Sequence, residues 1–120
     1  MKATTLVLGT SIKIERYSNK AVRRLLENNH KVKAFGLKAG QIKNINIDTE
    51  LKIYKDIDTV TLYVGQKNQS AYYDYIVSLK PNRVIFNPGT ENPEFYELLE
   101  ENGIKYEEAC TLVLLSTGQY

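Results

Sequence analysis

Leu6-Val7-Leu8-Gly9-Thr10-Ser11-Ile12-Lys13-Ile14-Glu15-Arg16-Tyr17-Ser18 is the stretch on which the fold turns. Three consecutive apolar residues suit a strand buried on both faces. Gly9 stops it, and a polar loop leads to Ser18, a residue type that caps helices. Beyond Ser18, Ala21, Val22, Leu25 and Leu26 fall on one helical face, with Lys20, Arg23, Arg24 and Glu27 on the other. Strand, glycine, loop, helix is the opening unit of a parallel α/β sheet. There the glycine permits close backbone approach, and the helix N-terminus offers unpaired N–H groups and a positive dipole end to an anion. With hydroxyl donors from Thr10 and Ser11, Gly9, Thr10, Ser11 and Ser18 form a candidate phosphate site. The plainer alternative is a turn glycine and a helix cap.

The same alternation continues downstream. Asn28-Asn29-His30 ends the helix, and Val32 to Phe35 reads as a second strand. Residues 36–58 carry isoleucines too irregularly spaced for a helix and are expected to be loop with one short extended piece. Thr59 to Val64 is rich in β-branched and aromatic residues and predicts a third strand. A helix is expected over Gln69 to Leu79, where Tyr72, Tyr75, Ile76 and Leu79 share a face. Arg83 to Phe86 is the fourth strand, closed by Asn87-Pro88-Gly89. Asn92-Pro93 starts a helix with a capping amide and a proline at its first position, and Gly103 follows its end. A last strand is expected over Ile104 to Glu107, followed by a C-terminal segment over 111–120. The pattern predicts one domain, 1–120, with a Rossmann-like three-layer α/β/α fold and roughly five parallel strands. Right-handed crossovers would place the loops after the strands along one edge, where such sheets hold ligands.

Bulk properties narrow the function. The 120 residues are 42% hydrophobic and 25% charged, and the net charge is only +2. That composition is ordinary for a globular protein, and the charge is too small to point to nucleic acid or a membrane as partner. The apolar run at Leu6–Leu8 is too short for a signal-peptide core or a membrane span. A single cysteine excludes an intrachain disulfide and suits a reducing, cytoplasmic setting. With one His and one Cys there is no His/Cys zinc cluster, and no nucleophile–base–acid set forms without His30, which sits between a helix and a strand. No catalytic or metal-binding residue is expected.

The departures from a dinucleotide fingerprint point to the ligand. There is no G-x-G-x-x-G, only Gly9 with a longer loop. The second strand ends in Phe35-Gly36-Leu37-Lys38, a cation where NAD would need an acid on its ribose. Lys38 suits an extra ribose phosphate, as in coenzyme A or NADP; an ordinary solvated lysine is the alternative. Asn87 and Thr90 follow the fourth strand and could donate into the crevice, while Pro-Gly is first a turn signal. Cys110 follows the last strand and reads as a buried cysteine or as a residue facing the crevice. The tyrosines, with Tyr72, Tyr73 and Tyr75 together, read as packing or an association surface, and the acids around Glu91 to Glu108 as solvated surface.

In order and spacing these residues resemble the bacterial single-domain coenzyme-A-binding proteins, whose fold is shared with the CoA-ligating domain of succinyl-CoA synthetase. The resemblance spans nearly the whole chain. It runs through Gly9-Thr10-Ser11, Arg16-Tyr17-Ser18-Asn19-Lys20-Ala21, His30-Lys31-Val32, Lys38, Val60-Thr61-Leu62-Tyr63-Val64, Arg83 to Gly89 and Cys110-Thr111-Leu112-Val113. It implies a bound coenzyme A or acyl-CoA, a small-molecule nucleotide cofactor. The first loop with Arg16, Tyr17 and Ser18, and Lys38, would hold its phosphates. The loops at Val64 and at Asn87, Pro88 and Gly89 would close on the adenine or pantetheine side. Phe35-Gly36-Leu37 departs from the family's valine-asparagine-proline type of turn. The synthetases' phosphorylated histidine belongs to another domain, so their ligase activity is not implied. The expectation is non-catalytic binding, alone, as a homodimer or with a partner enzyme. An NADP-type dinucleotide-binding or redox-sensing regulatory domain is the alternative, and an enzyme using Cys110 near a thioester is a third.

Overall fold

Among the residues that the computed structural model describes, 3–120, seven strands form one sheet in the order β3-β4-β2-β1-β5-β6-β7. In chain order these are β1 (Thr4–Leu8), β2 (Lys31–Phe35), β3 (Gly40–Ile42), β4 (Ile45–Asp48), β5 (Ile57–Leu62), β6 (Arg83–Phe86) and β7 (Lys105–Glu108). All neighbours pair in parallel except β3, which runs antiparallel to β4. The helices are α1 (Tyr17–Glu27), α2 (Gln66–Gln69), α3 (Tyr73–Leu79), α4 (Pro93–Glu101) and α5 (Thr111–Ser116), with a 3₁₀ turn over Ser70–Tyr72 joining α2 to α3.

Alternation along the central strands assigns the two layers, because successive side chains leave a strand on opposite faces. Leu6 and Leu8 face one side with Val60, Leu62, Val84 and Phe86, and are covered by Ile76 of α3 and Phe95 and Leu99 of α4. Val7 faces the other side with Val32, Ala34, Ile42 and Ile47, under Val22 and Leu25 of α1. Leu115 of α5 packs there too. Sequestering each such side chain from water is worth about 1.5–3 kcal/mol, so both layers are needed to hold the sheet.

The three-layer α/β class is as expected, while the strand count is corrected from about five to seven. The two additional strands, β3 and β4, lie inside residues 36–58, expected to be mostly loop. Ile42 and Ile47 are buried there, and a two-residue turn at Lys43-Asn44 joins the strands. Lys43 takes a φ of 53°, a conformation that glycine or asparagine normally signals in a hairpin. The predicted helix over Gln69–Leu79 is broken into α2, the 3₁₀ turn and α3. β5 begins and ends two residues before the predicted third strand, and β7 is shifted one residue on from its predicted span. Ser18 is not the cap of α1: Arg16 holds that position without a side-chain bond, and Ser18 lies in the first turn. The α4 start is as read. Asn92 caps it by accepting a hydrogen bond from the Phe95 N–H at 3.4 Å, with Pro93 at the first position, and Gly103 at φ 69° follows its end.

Candidate functional site

β1 lies where the sheet changes direction, since the chain leaves it first toward β2 and later returns to its other side as β5. Open α/β sheets hold ligands outside the carboxyl ends of the strands at such a point. A crevice of about 810 Å³ opens there. Its walls are the loop after β1 (Gly9 to Lys13, with Arg16, Tyr17 and Ser18), the end of β2 (Phe35 to Lys38) and the chain after β5 (Tyr63 to Gly65, Asn68, Ala71 and Tyr72).

The floor is backbone. Gly9 has φ +100°, and a Cβ there would stand 2.9 Å from the carbonyl carbon and oxygen of Tyr63. The N–H groups of Gly9 and Thr10 both reach the Phe35 carbonyl, at 2.9 and 2.7 Å, and the Tyr63 N–H reaches the Leu8 carbonyl at 2.9 Å. Gly36 was not singled out from the sequence, yet a Cβ on it would collide with the Thr10 carbonyl oxygen. The pair of glycines lets three chain segments meet closely enough to make a floor without side chains.

The rim is shaped by side chains that bond to the loop. The Thr10 hydroxyl donates to the Val7 carbonyl at 2.7 Å and is buried, so its proton is directed into the fold, contrary to its expected role as a donor to a ligand. Ser18 Oγ accepts from the Ser11 N–H at 3.0 Å, and Ser11 Oγ accepts from the Lys13 N–H at 3.1 Å; both hydroxyl protons can still be donated. Asn19, also missed from the sequence, is buried and donates to the Ser11 and Ile12 carbonyls at 3.0 and 3.2 Å. Arg23 holds it by donating to Asn19 Oδ1 at 2.8 Å. An asparagine in a first helical turn was the available signal, because this residue type readily bonds nearby backbone.

Charge is unevenly distributed around the crevice. Lys13, Arg16 and Lys38 line it, and no Asp or Glu does among the described residues. The first-turn N–H groups of Tyr17 and Ser18 lie at the same end, where a helix leaves them unpaired and its dipole is positive. By contrast, Val64, Gly65, Asn68, Ala71 and Tyr72 make an uncharged wall. The arrangement can hold an elongated molecule with phosphates at one end and a neutral arm at the other.

Of the expected site residues, Gly9, Thr10, Ser11, Arg16, Tyr17, Ser18, Lys38 and Val64 are brought together in the crevice walls. Asn87, Pro88, Gly89 and Cys110 are not among its lining residues. Asn87 is buried and spends its amide inside the fold. It donates to Thr61 Oγ1 at 2.7 Å and to the Leu62 carbonyl at 2.8 Å, and accepts from the Thr111 N–H at 2.9 Å. Thr90 is likewise turned inward, its hydroxyl donating to the Asn87 carbonyl at 2.7 Å. Cys110 is a half-buried free thiol just before α5. His30 packs edge-on to Tyr120, with ring centroids 4.9 Å apart. Tyr73 and Tyr75 belong to the packing, Tyr73 stacking on Phe95 and Tyr75 donating to the Lys52 carbonyl at 2.6 Å.

The model of the CoA binding domain family matches residues 3–116. A crystal structure of an uncharacterized protein shares 45% identity, superposes with a TM-score of 0.97, and covers 100% of this chain and 99% of its own. The structure of cell-free ID.343 from Thermus thermophilus shares 19% identity at a TM-score of 0.87, covering 99% of this chain and 91% of its own. A hypothetical protein from Pyrococcus horikoshii OT3 shares 23% identity at a TM-score of 0.85, covering 94% and 81%. The last two likenesses speak to the fold. No curated protein matches this chain. No helix among the described residues is long and apolar enough to cross a membrane.

Proposed function

This chain belongs to the CoA binding domain family, and from that premise we propose that it binds coenzyme A or an acyl-CoA across the switch-point crevice without acting on it chemically. One observation carries the reading: three cations, Lys13, Arg16 and Lys38, line the crevice with no acid among the lining residues. Coenzyme A presents a pyrophosphate and a ribose phosphate at one end and a neutral pantetheine arm at the other. The pyrophosphate fits the glycine floor and the first turn of α1, where unpaired N–H groups face an anion. Lys38 at the end of β2 faces the ribose phosphate. The pantetheine arm follows the uncharged wall from Val64 to Tyr72.

Binding rather than catalysis is favoured because neither His30 nor Cys110, the chain's single histidine and single cysteine, lines the crevice. A half-buried free thiol suits a reducing, cytoplasmic environment. Calorimetric titration with CoA, dephospho-CoA, NADPH and NADH tests the reading. CoA is expected to bind tightest and NADH hardly at all. NADPH binding tighter than CoA would replace the proposal with the dinucleotide alternative, since its extra ribose phosphate would meet the same lysine.

A further inference from the structure

A buried glutamine stands behind the crevice, where the helix after β5 is broken. Gln69 ends α2, and the chain then turns through a 3₁₀ segment before α3 begins. Its side chain points inward and is only 1% exposed, although it is fully polar. Both amide hydrogens are used on main-chain carbonyls from two different loops: Nε2 donates to Val64 at 2.8 Å and to Thr90 at 2.6 Å. Its Oε1 accepts from Asn92 Nδ2 at 2.9 Å. Val64 is part of the uncharged crevice wall; Thr90 and Asn92 lie in the loop leading into α4.

The direction of this network is set from the far end. The Phe95 N–H binds Asn92 Oδ1, which leaves the Asn92 NH₂ to face Gln69 Oε1 and the Tyr73 hydroxyl, the latter at 2.7 Å. Gln69 must therefore present its own NH₂ to the two carbonyls; the opposite amide orientation would set oxygen against oxygen at both carbonyls and NH₂ against the NH₂ of Asn92. Orientation is passed from the start of α4 to the backbone of the crevice wall.

We infer that Gln69 is the positioning residue of the uncharged wall, holding Val64 and the turn to Tyr72 where the neutral arm of the ligand lies, while leaving the cationic end untouched. The inference rests on the reading of the crevice as a CoA site. It separates two parts of one ligand: the pantetheine arm depends on Gln69 and the adenosine phosphates do not. A residue that only supported the fold would weaken both alike.

The test uses calorimetry on the whole chain with two probes, CoA and adenosine 3′,5′-bisphosphate, which lacks the arm. Gln69→Glu replaces the donor with a carboxylate facing two carbonyls. It is expected to weaken CoA on the order of 10-fold and to change the bisphosphate less than about twofold. Burial beside carbonyl oxygens favours the protonated Glu, which regains one donor. The affinity of this variant for CoA, relative to wild type, should therefore rise as pH falls. Asn92→Asp keeps the cap on Phe95 but removes the donor to Gln69, and should show the same split to a smaller degree in a chain whose α4 start is intact. Equal losses for both probes, or CoA affinity unchanged in folded Gln69→Glu and Asn92→Asp, would overturn the role of Gln69 while leaving the CoA reading in place. Failure of wild-type protein to bind either probe would remove that reading and this inference with it.

Discussion

The α-carbon of Gly9 is set against the carbonyl of Tyr63 so closely that a single added carbon would stand 2.9 Å from its carbon and oxygen atoms. This contact ties the end of β1 to the end of β5 and forms the crevice floor. Two restrictions coincide at Gly9, since its φ of +100° also disfavours any side chain. Gly9→Ala is expected to destabilise the fold by about 1–3 kcal/mol in denaturant melts. Gly9→Val should also lose nucleotide binding, because its branches have no place except the crevice. Wild-type stability in Gly9→Ala would show that the floor can move apart at little cost.

Lys38 is exposed after β2 and brings a charge to the crevice wall. Replacing it with alanine should remove most of the preference for CoA over dephospho-CoA and barely change binding of dephospho-CoA. A charge-assisted contact is worth about 1.5–3 kcal/mol when partly desolvated; for an exposed lysine the lower end, roughly 10-fold, is expected. The wild-type preference should also shrink as salt rises. A preference that survives the substitution would move the ribose phosphate to Lys13 or Arg16.

Asn87 should behave as a structural residue. Its amide joins β5, β6 and the start of α5 through three buried bonds, so Asn87→Ala leaves the Leu62 carbonyl and the Thr111 N–H without their partner. A loss of about 2–3 kcal/mol in chemical unfolding is expected, with CoA affinity of the folded protein little changed. A selective loss of affinity at wild-type stability would instead make it a ligand contact.

The Cys110 thiol lies outside the crevice lining, so saturating CoA should leave its alkylation rate unchanged. Slower labelling in the complex, read by mass spectrometry, would mean that the ligand or a coupled movement reaches the start of α5.

Alkaline pH should unfold the protein through its buried phenols. Burial, with a smaller contribution from the nearby Asp48 carboxylate, pushes the Tyr75 hydroxyl up to about 12 from an ordinary value of 10.0. The unfolded chain then releases this proton more readily than the folded one. The stability linked to Tyr75 is complete below pH 10 and is lost as pH rises from 10 toward 12. Tyr75→Phe should flatten that part of the stability curve, at the separate cost of the hydrogen bond to Lys52. An unchanged alkaline limb in denaturant melts would assign the effect to other tyrosines, such as Tyr63, which burial also pushes up to about 12.

The central sheet was readable because its middle strands are buried on both faces and carry plain apolar runs, as at Leu6–Leu8 and Val84–Phe86. The β3–β4 hairpin was not, because three- and four-residue strands joined by Lys43-Asn44 lack both length and a glycine signal. In the crevice, Gly9 and Lys38 could be found from their places after strands. Gly36 and Gln69 could not, since what each does depends on a segment that only the fold brings near; Asn19 bonds the nearby loop, and its place in a first helical turn was the signal passed over. Asn87 follows β6, where a ligand contact was expected, and the partners of its amide lie on β5 and α5.

Every residue lining the crevice falls between Gly9 and Tyr72, whereas β6, β7 and the helices α4 and α5 come later in the chain. Synthesis from the N-terminus thus delivers all the crevice-lining residues before β6, β7, α4 and α5 exist. Gln69 must wait for its network, because two of its three partners, Thr90 and Asn92, follow it in the chain. On the coenzyme-A reading proposed above, a nascent chain has the cationic half of the crevice before the support of its neutral wall is made.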